Sequence, residues 1–184
     1  MSRSVVYWAE TEPGEDSWTL LATEQGICRV LYPGDSPDRW SSWLKRLAPG
    51  AELEENRAAI TRFGIFELWD DYFKGKPVSF DSVPLDGFGT PFQLEVWSKL
   101  QQIPYGTVWT YRELAASIGR PQAVRAVGTA NGANPLPVLV PCHRVIGSNR
   151  TLVGYRGGLA MKERLLQLEG VVAVEPKGHE RFRH

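Results

Sequence analysis

The chain has 184 residues, 42% of them hydrophobic and 23% charged, with no net charge, the profile of a globular protein with room for one large domain or two small ones. Residues 1–9 carry one arginine and no run fit for a signal peptide, and no stretch approaches the roughly 20 apolar residues of a membrane span, so an intracellular protein without membrane attachment is expected. Two cysteines, Cys28 and Cys142, far apart in the chain, argue against a disulfide framework and for a reducing compartment. The charge is unevenly placed: residues 1–87 hold 9 Lys and Arg against 15 Asp and Glu, residues 88–170 hold 9 against 4, and residues 171–184 hold 3 against 2. An anionic partner would therefore meet the second half.

Residues 4–10, 18–23 and 27–32 are short, rich in β-branched and aromatic side chains and separated by Pro13-Gly14 and Gln25-Gly26, which predicts an antiparallel meander. Cys28 lies inside its third strand, a structural position. Ser36 caps a helix expected over Pro37–Leu47, with Pro49-Gly50 after it. A longer helix is expected from about Glu55 to Phe73, since Ala59, Ile60, Phe63, Phe66, Trp69, Tyr72 and Phe73 recur at helical spacing. Residues 76–90 mix one edge strand with a Gly- and Pro-rich run and mark the boundary between an N-terminal domain, 1–87, and a C-terminal domain, 88–170, with a tail at 171–184.

Thr90 caps a helix from Pro91 to Leu100, and Val108-Trp109 reads as a short strand. Thr110 and Glu113 form a capping box opening a helix over Tyr111–Ile118; Gly119-Arg120-Pro121 turns the chain into a second helix, Gln122 to about Gly132. Helix, short turn, helix is the helix-turn-helix pattern. The second helix is almost bare of bulk apart from Gln122, Arg125 and Asn131. Two readings stay open: close packing inside the protein, or a helix pressed into a widened minor groove with Arg125 as its long probe.

Pro135 to Gly147 delivers Cys142 to the end of an apolar run, Val138-Leu139-Val140, expected to be extended and fully buried, with Pro141 ending its strand pairing. His143 and Arg144 follow, an imidazole and a cation of the kind that favour thiolate. A buried, inert cysteine is the competing reading. After a loop, a last helix runs from Met161 to Leu168 with Leu165, Leu166 and Leu168 buried, and Glu169 ends it. A carboxylate at a helix C-terminus costs about 0.3–1 kcal/mol unless a donor offsets it, and a histidine would serve. Removing that carboxylate is therefore expected to be mildly stabilising.

The motif Pro141-Cys142-His143-Arg144-Val145-Ile146-Gly147, preceded by Arg125-Ala126-Val127-Gly128 and Asn134-Pro135-Leu136-Pro137 and followed by Gly154-Tyr155 and Gly157-Gly158, resembles the O6-alkylguanine-DNA alkyltransferases. The likeness is dense from Thr90 to Gly170. It implies an α+β protein: a small ribonuclease-H-like N-terminal α/β domain plus a helical winged-helix, or helix-turn-helix-like, C-terminal domain. Through it Cys142 becomes the alkyl acceptor, His143 its base through a water, Glu169 the carboxylate orienting that histidine, and Asn134 the residue holding the active-site turn. Tyr111 presses the DNA phosphate, Arg125 fills the stack vacated by the flipped nucleotide, and Ala126 and Gly128 belong to the DNA-facing helix. Val145, Tyr155, Arg156 and Gly157 fall at the base pocket. The implied function is irreversible, single-turnover repair of O6-alkylguanine in double-stranded DNA by a monomer. No cofactor is implied. Some members bind zinc in the N-terminal domain, but residues 1–87 offer only Cys28 and no histidine, so no metal is expected. Two rivals remain: an alkyltransferase-like protein that binds damage without transfer, whose members replace the cysteine, and a cysteine hydrolase built on Cys142, His143 and Glu169.

Overall fold

The computed structural model describes residues 5–35, 42–45 and 49–171. The chain divides into two compact units, 1–74 with 78–88, and 75–77 with 89–184. Helices and strands are mixed throughout.

In the first unit, β1 (Val5–Thr11), β2 (Trp18–Ala22) and β3 (Ile27–Leu31) form the expected antiparallel meander. All of β2 but Thr19 is buried, as suits an interior strand that is apolar on both faces. A fourth strand, β4 (Glu52–Glu55), pairs in parallel with β1 and completes the order β3-β2-β1-β4. The sequence gives no hint of it, because Glu-Leu-Glu-Glu at a sheet edge has almost nothing to bury; its glutamates suit an edge that must not recruit another strand.

That strand corrects the helix expected over Glu55–Phe73. Glu55 belongs to β4, Asn56 accepts the Ala59 N–H to cap α1 (Arg57–Thr61), and α2 (Ile65–Phe73) begins anew. Gly64 separates them at φ 69°, a left-handed conformation that glycine adopts freely and that no helix continues through. Behind the sheet, Trp18 and Trp69 are fully buried and meet edge to face at 5.5 Å, with Phe73 against both. Of the helix expected over Pro37–Leu47, residues 42–45 are helical and the rest lies outside the described residues. Within 76–90 the edge strand is absent; the described pairing is a single bridge from Leu85 to Ile27.

In the second unit, Thr90 and Gln93 form a capping box at the start of α3 (Pro91–Leu100), which buries Val96, Trp97 and Leu100. β5 is Trp109–Thr110, one residue later than the sequence indicates, and it runs straight into α4 (Tyr111–Ser117), where Thr110 and Glu113 close the expected capping box. α5 (Val124–Gly132) starts two residues after Gln122. It resolves the two readings of its small residues into two faces: Val127, Ala130 and Asn131 are buried, while Arg125, Ala126, Thr129 and Gly132 are exposed. The Trp97 indole donates to the Ala130 carbonyl at 2.8 Å and ties α3 to the inner face.

The segment expected to be extended is instead a turn. Val138, Leu139 and Val140 are buried, but Val138 has φ 73° and the Val140 N–H reaches back to the Leu136 carbonyl. A β-branched residue there opposes its own preference, so the turn is held from outside: Asn134 donates to the Val140 carbonyl at 2.8 Å and accepts the Leu136 N–H at 3.0 Å. Cys142–Arg144 then makes one 3-10 turn, and β6 (Val145–Ile146) pairs in parallel with β5. Strand pairing thus begins after Pro141 rather than ending at it. The last helix, α6 (Leu159–Leu168), starts two residues before Met161; Leu165 and Leu166 are buried but Leu168 is only half-buried. The tail beyond Val171 lies outside the described residues. No helix among the described residues is long and apolar enough to cross a membrane.

Candidate active site

The site is assembled inside the second unit from three pieces: the 3-10 turn, the end of α6 and the inner face of the helix pair. Cys142 is 3% exposed, and its N–H is bonded to the Val140 carbonyl at 2.8 Å. Burial pushes its thiol up from the ordinary value; the Asn134 side chain, the Lys162 ammonium, the Tyr155 hydroxyl and the Arg156 charge pull against that, in decreasing order. The groups facing the sulfur therefore differ from those adjacent in sequence. His143 and Arg144 both bond Glu169 instead.

His143 is fully buried, and its Nε2 lies 2.7 Å from Oε1 of Glu169. Burial holds the imidazole below its ordinary pKa against the pull of Glu169. A neutral ring beside a carboxylate places its proton on Nε2, which leaves Nδ1 with the lone pair a base needs. Arg144 is spent on the same carboxylate: Nε reaches Oε2 at 2.8 Å and a terminal nitrogen reaches Oε1 at 3.0 Å. The Gly106 N–H adds a third kind of donor at 3.1 Å. Gly106 has φ 73°, and a Cβ there would stand 3.0 Å from the Glu169 carbonyl oxygen, so the close approach of that loop to the helix end requires glycine. Burial alone would raise the Glu169 carboxyl, but His143 and Arg144 together hold it at about 2.

The residue the sequence reading missed is Lys162. It is fully buried, and its ammonium donates to the carbonyls of Val145 at 2.6 Å and Val153 at 2.8 Å, clamping the 153–158 loop to β6. The rings of Tyr111 and Tyr155 flank it at 6.0 and 5.9 Å. Burial lowers its pKa to about 8, with Cys142 acting in the opposite direction. A signal was present: Lys162, Leu165, Leu166 and Glu169 fall at i, i+3, i+4 and i+7, which puts the lysine on the buried stripe of α6. Asn131 was also passed over. Its side-chain nitrogen lies 3.4 Å from the Cys142 carbonyl, and it bonds the Tyr111 hydroxyl, which burial pushes up to about 12.

The other expected site residues are distributed as follows. Asn134 underlies the turn, and Val145 is buried with its carbonyl on Lys162. Tyr155 and Gly157 are half-buried, and Arg156 is exposed on the loop above the thiol. Tyr111 is half-buried with its hydroxyl turned toward Asn131. Arg125 and Ala126 are on the exposed face of α5, and Gly128 backs onto the Tyr111 ring, 3.7 Å from where its Cβ would be. Among the described residues, no group of three or more His, Cys, Asp or Glu is arranged to hold a metal ion.

The chain that carries this arrangement resembles known proteins. Residues 91–171 match the family model described as the DNA-binding domain of 6-O-methylguanine DNA methyltransferase. The inducible methylated-DNA-protein-cysteine methyltransferase of Bacillus subtilis (strain 168) is 39% identical over 168 residues, covering 91% of this chain and 92% of that one. The Haemophilus influenzae protein of the same name is 47% identical over 163 residues, 89% of this chain and 90% of its own. The crystal structure of Mycobacterium tuberculosis O6-methylguanine methyltransferase superposes with a TM-score of 0.73 at 34% identity, covering 92% and 96% of the two chains. A crystal structure of the OGT protein from M. tuberculosis in complex with DNA gives 0.71 at 34% identity over 90% and 92%.

Fold and site thus define a protein of the alkyltransferase fold with mixed helices and sheets. The chain belongs to the methylated-DNA-protein-cysteine methyltransferase family.

Proposed function

We propose that this protein repairs DNA by transferring the alkyl group of O6-alkylguanine irreversibly to Sγ of Cys142, each molecule acting once. The observation that carries the site assignment is the 2.7 Å contact between His143 Nε2 and Glu169, which turns the other ring nitrogen of Cys142's neighbour into a base. The thiol proton passes through a water to Nδ1. The thiolate attacks the alkyl carbon, the S–C bond forms as the C–O6 bond breaks, and the electron pair left on O6 restores guanine with a proton returned to the base. The resulting thioether has no route back.

Burial opposes the thiolate, so the groups that favour it matter: Asn134, Lys162, Tyr155 and Arg156 all act in that direction. Glu169 is ionised throughout and stabilises the imidazolium as it forms. O6 lies on the pairing edge of guanine, so a buried cysteine reaches it only when the nucleotide is flipped out of the duplex. Tyr111 presses on the phosphate and Arg125 fills the stack; Ala126 and Gly128 keep α5 slim enough to approach the groove. Val145, Tyr155, Arg156 and Gly157 receive the base, and Asn134 holds the turn beneath it. In this reading the first unit is ribonuclease-H-like, the second is winged-helix-like, and the protein works inside the cell as a monomer without cofactor or metal.

Intact-mass measurement after incubation with an O6-methylguanine duplex tests the reading. One methyl group per molecule is expected on the wild type and none on Cys142→Ala. Turnover well above one per molecule would overturn it in favour of the hydrolase, and binding without a mass change in favour of the damage-binding protein.

A further inference from the structure

The loop leaving β6 is a tight one. The Gly147 N–H bonds to the Thr151 carbonyl at 2.9 Å, the Arg150 N–H bonds to the Gly147 carbonyl at 2.8 Å, and the Thr151 hydroxyl bonds to Asn149 at 2.6 Å. Ser148, Asn149 and Arg150 are exposed at its tip. Arg150 has φ 60°, the left-handed region that a side chain with a Cβ occupies against its preference and that glycine takes without strain. A residue needed only to close this turn would be glycine or asparagine. An arginine held there is held for its side chain, and its guanidinium has no hydrogen-bonding acceptor among the described residues.

The register of the two-stranded sheet says where that side chain stands. β5 and β6 are parallel, with Thr110 opposite Ile146, so both strands exit at the same end: β5 into the first turn of α4, and β6 into this loop. Arg150 accordingly lies beside the start of the helix pair, close enough for Glu113 to feel its charge. Glu113 is already committed to its capping box with Thr110, at 2.6 and 3.1 Å. It offers Arg150 a field but no direct bond.

We propose that Arg150 contacts a backbone phosphate of duplex DNA, an anchor outside the helix pair that fixes the strand where the chain passes from β6 toward the base pocket. The inference rests on the DNA-repair reading above. An arginine beside the first turn of α4, the turn that carries Tyr111, strained and without a hydrogen-bonding acceptor among the described residues, has the chemistry of a phosphate contact: charge that positions the duplex without reading its sequence. The competing explanation is that Arg150 serves only to neutralise Glu113.

The test is equilibrium binding of a fluorescent undamaged duplex by full-length protein across a range of salt concentrations, with Arg150→Gly and Arg150→Lys. Glycine suits φ 60°, so Arg150→Gly should keep or raise the thermal midpoint while weakening binding about threefold to tenfold and flattening the log-affinity against log-salt slope by about 0.9, the loss of one phosphate contact. Arg150→Lys should retain the slope. An unchanged slope and affinity in Arg150→Gly would overturn the proposal, as would a lowered midpoint that accounts for the weaker binding. Failure of the wild type to take a methyl group from an O6-methylguanine duplex would instead defeat the repair reading.

Discussion

The two cysteines are buried to nearly the same degree, Cys28 fully and Cys142 to 97%, yet they sit in opposite surroundings. Cys28 packs in a cluster with Val6, Leu21, Leu31, Trp43 and Leu44, and burial pushes its thiol up to about 12. Burial pushes Cys142 in the same direction, but an amide, an ammonium, a phenol and a guanidinium oppose it. The difference teaches that exposure does not make a thiol reactive here. In the proposed reaction the thiolate would be favoured by the polar groups the fold aims at the sulfur, which act with little screening there although burial still outweighs them.

The largest test of that contrast is substitution of the acceptor. Cys142→Ala should abolish methyl uptake completely, measured by intact mass, while the duplex is still bound. Uptake persisting in Cys142→Ala and lost in Cys28→Ala would reverse the comparison.

Next in size is Glu169→Gln. The amide cannot stabilise an imidazolium, so single-turnover transfer should slow about 100-fold or more. The stability effect changes sign from what the sequence implies. A carboxylate at a helix end looks mildly unfavourable, but this one is buried and bound by His143, Arg144 and the Gly106 N–H. Its neutralisation strands a buried guanidinium, at a cost on the order of 3–5 kcal/mol, read from denaturant unfolding.

Acid should act through the same pair. His143 titrates below its ordinary value in the folded state, so the unfolded chain binds its proton first and stability declines as pH falls below about 6.5. Glu169 is depressed to about 2, so its contribution is present above about 4.3 and is lost as pH falls from there toward 2. His143→Gln should remove the first limb of a stability-against-pH curve and leave a smaller second one, carried by Arg144.

Lys162→Met is a smaller and sharper probe. It removes the buried cation that favours the thiolate, so the pH at which transfer is half-maximal should move upward, with a rate loss at neutral pH of about tenfold. A slower rate with an unshifted pH profile would mean that the lysine acts only as the clamp between Val145 and Val153.

These residues also mark how far the sequence was legible. Cys142, His143 and Glu169 were placed together by the family resemblance, with a helix-end carboxylate in need of a donor as the local signal beside it. The meander, the Thr110–Glu113 capping box and the Thr90 cap were legible because strand alternation and cap chemistry are local; the reciprocal Gln93 bond at Thr90 was not read. The Val138 turn was not: its φ of 73° is imposed by Asn134 through hydrogen bonds that span several residues, against the propensity of valine. Arg144 was misread as a cation for the thiol, since the 3-10 turn sends consecutive side chains in different directions while an extended segment would have left it near the sulfur's side. β4 was invisible because it is stabilised by backbone pairing with β1 rather than by anything its side chains bury.

The smallest expected effect lies at Cys28, and it is informative because it should be confined to stability. Cys28→Ser keeps the volume nearly constant but places a hydroxyl among Val6, Leu21, Leu31, Trp43 and Leu44, where an unsatisfied polar group costs about 1–3 kcal/mol. Cys28→Ala leaves a void of about one sulfur atom, costing about 1 kcal/mol. The order of the two unfolding midpoints, Ala above Ser, would establish that this thiol is used as a small hydrophobe. Neither variant should alter methyl uptake, and an alkylating reagent applied to the folded wild type should label Cys142 ahead of Cys28. Equal labelling would mean that the polar groups around Cys142 confer no reactivity on it, and the contrast between the two thiols would collapse to their positions in the chain.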